Sequence, residues 1–333
     1  MGKILFFGEP LIRITPQDFE PLQDGVRASI HYGGSEVNIA CALQGFGLQT
    51  RLLTGLPQNR LGDSYLSFLQ QHAIDTREIC RIGKRIGVYY LENGFGCRQG
   101  EVTYDRSDTS VSEIELDMLD MDRLFDGVSH FHFSGISIAI SQSCRNLLEQ
   151  LLLEAQKRHV LISFDPNLRR NMISLQEAKK EFSHFAAYAD YCFGIEPLML
   201  DDQDTSLFDR DNATLCELEK RMRDLKEKFQ FKAIFHTLRD LTEDGINHYQ
   251  AFAFDGAFHL SQTLKTRVLQ RIGSGDAFVA GALYQLMNHS TMSETIHFAV
   301  AAGTFKCTIA EDYLHHPASQ IYTLSAHPKD VSR

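Results

Sequence analysis

The sequence predicts an α/β fold, a three-layer α/β/α sandwich built around a mainly parallel central sheet. Short apolar runs alternate with amphipathic helical segments along most of the chain, and this alternation is typical of parallel strands joined by helices. Two stretches break the pattern with short alternating strands and no helix between them. We expect these segments, at about residues 10–32 and 85–110, to form a small β-sheet lid on a single domain spanning residues 1–333.

The first half of the chain shows the alternation clearly. The apolar run KILFFG predicts a first buried strand, and GGSEVNIACALQGFG predicts a helix that begins at Ser35 and ends near Gly45 or Gly47. RLLTGL predicts a strand, and LGDSYLSFLQQHA predicts the helix that follows it. A further strand is expected near 129–135 in HFHFSG, before the helix SQSCRNLLEQLLLEAQKR with its stripe of leucines.

The second half repeats the scheme. VLISFDPN predicts a strand that ends in polar residues, and Ser174 with Glu177 forms a capping box for the next helix. YCFG and AIFHTL predict strands on either side of the helix NATLCELEKRMRDLKEKF. The chain then predicts two long closing helices, GSGDAFVAGALYQLM and MSETIHFAVAAGTFKCTI.

The composition restricts the class of protein. The chain has 333 residues, of which 43% are hydrophobic, and its net charge is −10. This charge disfavours nucleic acids and anionic membranes as partners. Seven scattered cysteines without a C-x-x-C pair predict reduced thiols. No basic and apolar leader opens the sequence, and no apolar run approaches the roughly 18 residues of a membrane span, so we expect a cytoplasmic protein.

The stretch Gly273-Ser274-Gly275-Asp276 precedes a long apolar helix and lacks the lysine of a P-loop. Glycines allow a close approach to the main chain, and the free N–H groups of a helix start bind phosphoryl oxygens. An acid beside such a nest can accept a proton from an attacking hydroxyl. The alternative is an ordinary helix start, in which Asp276 caps its own helix.

A second polar cluster, Asp165-Pro166-Asn167-Leu168-Arg169-Arg170, ends a predicted strand. Ligands bind beyond the carboxyl ends of parallel strands. Arg169 is suited to carboxylate or phosphate, and Asn167 to phosphate or metal-bound water. The alternative is a turn stabilised by its aspartate and asparagine side chains, with arginines facing solvent.

A third cluster combines a Gly-Gly turn with lid residues. Gly33 and Gly34 permit the close approach of a polyol, Asn38 can bond its hydroxyls, and the lid tyrosines can cover it. The tyrosines could equally form ordinary cross-strand packing. Glu9 could bind sugar hydroxyls or pair with an arginine.

These motifs in this order resemble the ribokinase-like (phosphofructokinase-B) carbohydrate kinases over nearly the whole chain. The chain looks most like the 2-keto-3-deoxygluconate kinase branch, to which GEP, the YDR lid element and HFSGI are more specific than the general glycine motifs. The resemblance implies an ATP- and Mg²⁺-dependent kinase that phosphorylates the terminal hydroxyl of an acid sugar. It also implies a ribokinase-like sandwich with a lid. Because exposed lid edges are a liability in a monomer, we expect a homodimer or higher homo-oligomer formed through the lid.

The resemblance also implies a role for each site residue. Asp276 is the general base, and Gly273, Ser274 and Gly275 form the anion hole. Asn167, Thr237 and Arg239 belong to the nucleotide side, and Arg106 and Arg169 are the candidates for the sugar carboxylate. The full sugar site is expected to contain Glu9, Gly33, Gly34, Asn38, Tyr89, Tyr104, Arg106, Ile136, Arg169 and Asp312.

The sequence departs from the family pattern at two places. Gln270-Arg271 stands where this branch has Asp-Arg, and the Asn-x-x-Glu motif that organises magnesium waters is replaced at Ile195 and Leu198. Apolar side chains cannot orient a metal-bound water, so Glu196 is left as the acid that could act on the metal through water.

Three alternative functions follow from these observations. A fructokinase-like enzyme is one, although a neutral sugar gives no reason for Arg106. A sugar-binding or regulatory protein with weakened catalysis is another, because of the apolar replacements. A dinucleotide oxidoreductase is the third and is disfavoured, because no G-x-G-x-x-G follows the first strand.

Overall fold

The computed structural model describes residues 2–210, 212–242 and 245–324. The strands, in chain order, are β1 (Lys3–Phe7), β2 (Leu11–Pro16), β3 (Ala28–Gly33), β4 (Thr50–Leu56), β5 (Ile79–Arg81), β6 (Gly87–Glu92), β7 (Glu101–Asp105), β8 (Val128–Ser134), β9 (Leu161–Asp165), β10 (Tyr191–Cys192), β11 (Ala233–Leu241), β12 (Ile246–Phe254), β13 (Phe258–Leu260) and β14 (Leu264–Arg267).

The α-helices lie between and after these strands. They are α1 (Ser35–Gly45), α2 (Arg60–Gln71), α3 (Met121–Phe125), α4 (Gly135–Ile140), α5 (Gln142–Lys157), α6 (Leu175–Ala186), α7 (Leu215–Phe229), α8 (Ser274–Met287), α9 (Met292–Lys306) and α10 (Ala318–Leu324). None of the helices in the described part of the chain is long and apolar enough to cross a membrane.

The central sheet is mainly parallel, as the alternation predicts. Its strand order is β13-β12-β11-β10-β9-β8-β1-β4-β5, with β14 also paired to β12. The pairs from β5 across to β11 are parallel, whereas β12 pairs antiparallel with β11, β13 and β14. The sequence did not predict this antiparallel extension, because hairpins at a sheet edge lack the helix that marks a parallel connection.

Helices cover both faces of the sheet. Ile4 and Phe6 of β1 belong to one hydrophobic core, and Leu5 and Phe7 belong to the core on the opposite face. All four are fully buried, which explains why KILFFG is a continuous apolar run rather than an alternating one. The result is the three-layer sandwich predicted from the sequence.

A separate four-stranded sheet, which we call the lid, has the order β3-β2-β6-β7. Its strands span residues 11–16, 28–33, 87–92 and 101–105. β2–β3 and β6–β7 pair antiparallel, and β2 pairs parallel with β6. Because β2 leads on from β1 and β3 leads into α1, the lid lies next to the N-terminus of α1.

Candidate active site

A cleft of about 820 Å³ lies between the lid and the sheet. Its walls come from the starts of α1 and α8, the segments after β9 and β10, strand β11, and the lid strands β6 and β7. It therefore lies where polar groups at strand ends and helix starts converge, as expected for this class of sheet.

Asp276 lies in the first turn of α8 but does not cap that helix, whose start at Gly273 receives no side-chain hydrogen bond. Its carboxylate instead accepts hydrogen bonds from two residues of α1. Ser35 Oγ donates to Oδ1 at 2.9 Å, and Asn38 Nδ2 donates to Oδ2 at 2.7 Å. The carboxylate thus lies between the N-terminal ends of two helices, which both favour negative charge, and it lines the cleft.

Asn167 extends this hydrogen-bonded chain from the other side of the cleft. Its Nδ2 donates to Ser35 Oγ at 2.9 Å, and its main-chain N–H donates to Asp165 Oδ1 at 3.1 Å. The turn chemistry considered for this segment is therefore present, with Asn167 at a φ of 37°. This turn directs the Asn167 side chain toward Ser35, which binds Asp276, rather than toward solvent.

Asp276, Asp165 and Glu36 act on one another electrostatically, and all three carboxyl groups have raised pKa values. Burial raises the pKa of Asp276, although its hydrogen bonds with Asn38 and Ser35 oppose the shift. Burial, followed by the nearby charge of Asp276, raises the pKa of Asp165 to about 7. Burial also raises the pKa of Glu36 to about 7, against its hydrogen bond from Ser134. Buried acids with shifted pKa values in a cleft are typical of sites of proton transfer.

The segment Gly273–Gly275 forms a nest at the start of α8. Gly273 has a φ of 78°, and a Cβ there would lie 1.6 Å from the carbonyl oxygen of Asp312, so only glycine fits. Ser274 Oγ is buried and finds no hydrogen-bond partner among the described residues. Arg239 Nη2 lies 3.5 Å from the position of a Cβ on Gly275. The main-chain N–H of Ser274 donates to the carbonyl oxygen of Arg271 at 3.1 Å. The amides of Gly273 and Gly275, the unpartnered Ser274 hydroxyl and the Arg239 guanidinium together make a site for an anion.

The lid contributes Tyr89, Tyr104 and Arg106 to the cleft wall. The two tyrosines are cross-strand partners with ring centroids 5.9 Å apart, and Arg106 lies 5.5 Å above the Tyr104 ring. Glu9, which is buried, accepts hydrogen bonds from Arg106 Nε and Nη2 and from Thr109 Oγ1. Glu9 therefore pairs with an arginine, the alternative that the sequence left open, and fixes the guanidinium beside the cleft.

Asp312 and Gly33 lie behind the cleft wall rather than on it. Tyr89 Oη donates to Asp312 Oδ2 at 2.7 Å, and Arg13 Nη2 lies 2.7 Å from Asp312 Oδ1. Both members of this ion pair are buried, with side chains 2% and 1% exposed. Asp312 thus orients the tyrosine that faces the ligand space. Gly34 and Ile136, in contrast, line the cleft directly.

The opposite end of the cleft is rich in arginine. Thr237 and Arg239 of β11 line it together with Arg170, whereas Arg169 lines the cleft close enough to Asp276 for its charge to act on that carboxyl group. Arg239 donates from Nη2 to Tyr249 Oη at 2.9 Å and stacks on that ring at 4.4 Å. Such a fixed guanidinium suits an anionic group such as a phosphate.

Glu196 lies at the same end, but its charge is already matched. Its carboxylate pairs with Arg221 at 3.0 Å and Lys179 at 3.5 Å, and both cations also pair with Asp204. Ile195 and Leu198 on either side are buried in the core. No group of three or more histidine, cysteine or acidic side chains within the described ranges is arranged to hold a metal ion.

Comparison with known proteins decides the family. Residues 1–314 match the family described as pfkB family carbohydrate kinase. The chain belongs to this family. It is therefore a carbohydrate kinase with the ribokinase-like fold, as the sequence motifs predicted.

Individual relatives cover nearly the whole chain. A 2-dehydro-3-deoxygalactonokinase of Haloferax volcanii is 27% identical over 312 residues, covering 93% of this chain and 92% of its own length. The crystal structure of 2-dehydro-3-deoxygluconokinase from Thermotoga maritima aligns with a TM-score of 0.90 and 30% identity, covering 98% of this chain and 100% of that chain. A fructokinase with bound ATP from Xylella fastidiosa aligns at 18% identity with a TM-score of 0.73, covering 97% of each chain, and shows the shared fold.

The cleft fits the nucleotide that a carbohydrate kinase uses. The buried, unpartnered Ser274 hydroxyl and the glycine nest suit a phosphoryl group, and the arginine-rich end suits the remaining phosphates. The cleft suits an Mg²⁺ ion that is held mainly by the nucleotide phosphates. Proteins commonly bind such an ion through one or two carboxylates or through water. Besides Asp276, the carboxylates that line the cleft are Asp165, Glu196 and Asp209.

Sequence reasoning missed several residues of this kinase site. Ser35 and Asp165 lie inside motifs that were recognised, GGSEVNIA and FDPNLRR, so their polar character at a helix start and a strand end was the available signal. Arg13 gave a weaker signal, a charge within the otherwise apolar strand LIRITP. Nothing in the local sequence indicates that Arg13 meets Asp312.

Proposed function

We propose that this kinase transfers the γ-phosphoryl group of ATP to the terminal hydroxyl of 2-keto-3-deoxygluconate, giving the 6-phosphate. The observation that carries the chemistry is the Asp276 carboxylate, held by Ser35 and Asn38 beside the glycine nest. The names of two relatives, a galactonokinase and a gluconokinase for such deoxy acid sugars, support the substrate class.

The arginines of the cleft support a substrate that carries a carboxylate group. Arg106 faces the cleft with its Nε and Nη2 directed to Glu9, and its Nη1 forms no hydrogen bond to another described residue. Arg169 lines the same cleft and is exposed. Two guanidinium groups suit a carboxylate, which can accept hydrogen bonds from each. Arg106 is already paired with Glu9 and Arg169 is exposed to solvent, so a carboxylate would use the remaining Nη1 of Arg106 and the charge of Arg169, whereas a neutral sugar would use neither charge.

In the proposed mechanism, Asp276 accepts the proton of the terminal hydroxyl as the hydroxyl oxygen attacks the γ-phosphorus of ATP, whose bond to the β–γ bridging oxygen breaks to release ADP. Ser35 and Asn38 hold the carboxylate in place, and Asn167 orients Ser35. The N–H groups of Gly273 and Gly275 and the hydroxyl of Ser274 stabilise the charge on the transferring group, because they are oriented before the reaction. When bound with the nucleotide, Mg²⁺ would neutralise part of the phosphate charge. We propose that Glu196 makes no more than a contact with it through water.

The lid tyrosines have a separate part. Tyr89 is fixed by Asp312, and Tyr104 packs beside it over the sugar space. A lid that excludes water prevents transfer of the phosphoryl group to water instead of the sugar.

A substrate screen tests this function. The protein is assayed with ATP and Mg²⁺ on 2-keto-3-deoxygluconate and its galactonate epimer, beside fructose, ribose and nucleosides. We expect the highest kcat/KM on the gluconate acid sugar. A preference for fructose would replace the substrate by that of a fructokinase, and binding of acid sugar without ADP release would indicate a regulatory relative.

We also propose that two copies of the chain associate through the lid. Ile30 on the edge strand β3 is 64% exposed, and Val102 on the other edge strand β7 is 41% exposed. Unpaired strand edges with exposed apolar side chains favour pairing with another chain. Sedimentation should give at least a dimer at micromolar concentration, and Ile30→Glu should weaken it; a monomeric mass contradicts the proposal.

The seven cysteines are relevant to the cellular location of the protein. All of them are free thiols in the structure. Reduced thiols are typical of the cytoplasm, and we propose that location for the protein.

A further inference from the structure

Lys306 is a buried cation that the mechanism above does not use. It is the last residue of α9, and its side chain is 0% exposed. Its ammonium group donates to the carbonyl oxygens of Gln270 at 3.4 Å and Ile309 at 3.2 Å. No carboxylate of the described residues forms an ion pair with it. Most buried charges are paired, so this lysine requires an explanation.

Its position supplies one. A Cβ placed on Gly273 would lie 3.4 Å from Lys306 Cε, so the side chain passes directly behind the glycine nest. The N–H groups of Leu269 and Gln270 donate to the carbonyl oxygen of Cys307 at 2.8 and 3.2 Å. The loop that leads into the nest is therefore tied to the end of α9 by two main-chain bonds and by the ammonium group.

The electrostatics of the site point the same way. Burial lowers the pKa of Lys306 to about 8, whereas the charge of Asp312 favours the protonated form. A buried ammonium without a direct ion pair is stabilised when a further negative charge approaches it. The group that brings negative charge to the front of the nest is a phosphate.

We propose that Lys306 is a positioning residue for phosphoryl transfer: behind the nest, it fixes the Gln270–Gly273 loop and strengthens the attraction of the nest for the transferring phosphoryl group. This inference deepens the proposed function and rests on the nest holding that group. It has a consequence that a purely structural lysine would not have. A triphosphate must favour the protonated lysine, so binding above the pKa of the free protein takes up a proton.

Other groups face Lys306 and enter any pH dependence. They are Arg13 on β2, His31 on β3, Asp276 on α8, and Cys307 and Asp312 in the segment after α9. When the variants are compared at one pH, these groups make the same contribution to each measurement. About pH 8.5 is suitable, because Lys306 in the free protein is then largely uncharged.

The experiment is calorimetric titration of the full-length protein with AMP-PNP and with ADP, both with Mg²⁺, in buffers of different ionisation enthalpy. The variants are Lys306→Met, Lys306→Arg and, as a matched control, Lys232→Met at an exposed lysine paired with Asp190. Thermal melting of each variant checks folding. The same proteins are assayed for turnover of 2-keto-3-deoxygluconate.

We expect wild type and Lys232→Met to take up a fraction of a proton on binding AMP-PNP and less on binding ADP. Lys306→Met should lose this uptake, and its preference for binding AMP-PNP over ADP should fall about tenfold. This change is smaller than the roughly 10²–10³-fold loss of kcat that removal of a direct anion-hole donor causes. Lys306→Arg should keep the preference without proton uptake, because arginine stays charged.

Two results would overturn the inference. One is wild-type binding without proton uptake; the other is unchanged uptake and preference in Lys306→Met. If Lys306→Met does not fold, wild type and Lys306→Arg still decide the question. Failure of the proposed function is distinguishable, because it appears as absence of acid-sugar turnover in wild type, whatever the calorimetry gives.

Discussion

The two ends of the cleft use their acidic residues in different ways. At the lid end, Glu9 holds Arg106 and Asp312 holds Tyr89, and each acid thereby aims a neighbour at the ligand space. At the far end, Glu196 is shared between Lys179 and Arg221 and is flanked by apolar side chains. The acids at the lid end position side chains that line the cleft, whereas Glu196 belongs to an ion-pair network.

This difference shows where the chemistry depends on the protein. In the proposed mechanism, the reaction relies on two helix starts, a glycine nest and arginines. Substitutions at the centre and the lid should therefore have large effects, and substitutions at Glu196 should have small ones.

The largest effect is expected at the centre. Asp276→Asn keeps the size of the side chain and removes the proton acceptor, so kcat should fall by about 10²–10⁴-fold. Steady-state turnover of 2-keto-3-deoxygluconate measures it, and an unchanged melting temperature shows that the fold persists. Activity within a few-fold of wild type would exclude Asp276 as the base.

The next effect is on stability at the lid. Arg13→Met leaves Asp312 buried without its cation, and the free energy of unfolding should fall by about 3–5 kcal/mol. Denaturant unfolding measures this. Arg77→Met is the matched control, because Arg77 pairs with Asp75 at the surface with 63% exposure, where a pair contributes about 1 kcal/mol or less. Equal losses would remove the distinction between the buried and the surface pair.

A smaller effect is expected on substrate choice. Arg169→Met and Arg106→Met should each lower the kcat/KM ratio of acid sugar to fructose by about 10- to 100-fold, because a charge-assisted hydrogen bond to the carboxylate is lost. Arg85→Met, at a lid arginine paired with Asp105, should leave the ratio unchanged. A constant ratio in all three variants would show that neither cleft arginine recognises the carboxylate.

The smallest effect is expected at Glu196. Glu196→Gln should change the Mg²⁺ concentration for half-maximal rate by no more than about threefold, because two cations already neutralise this carboxylate. Titration of the rate with Mg²⁺ measures it. A change of about tenfold or more would assign Glu196 a stronger role at the metal and erase the contrast between the two ends.

The sequence predicted the parts of this molecule that depend on local signals. The helix starts at Ser35 and Ser274 and the strand that ends at Asp165 could be read from glycines, capping residues and apolar runs. These helix starts and this strand end form walls of the cleft, so the main cleft-lining residues were predicted along with the fold.

The remaining features depend on residues far apart in the chain. Tyr89 and Asp312 are 223 positions apart, and Arg106 and Glu9 are 97 apart. No periodicity or turn signal encodes such a pair. The sequence therefore predicted Asp312 as a sugar-site acid but not that it lies behind Tyr89, and it gave no indication that Lys306 lies behind the nest.

The most direct test of the central claim is the pH dependence of kcat for wild type and Asp276→Asn on 2-keto-3-deoxygluconate. The base must be ionised, and burial raises its pKa above the ordinary value of 3.8. Wild-type kcat should therefore fall as the pH drops through a midpoint above that value. In Asp276→Asn the residual rate should lack this acid limb. An acid limb that persists unchanged in Asp276→Asn would contradict the account.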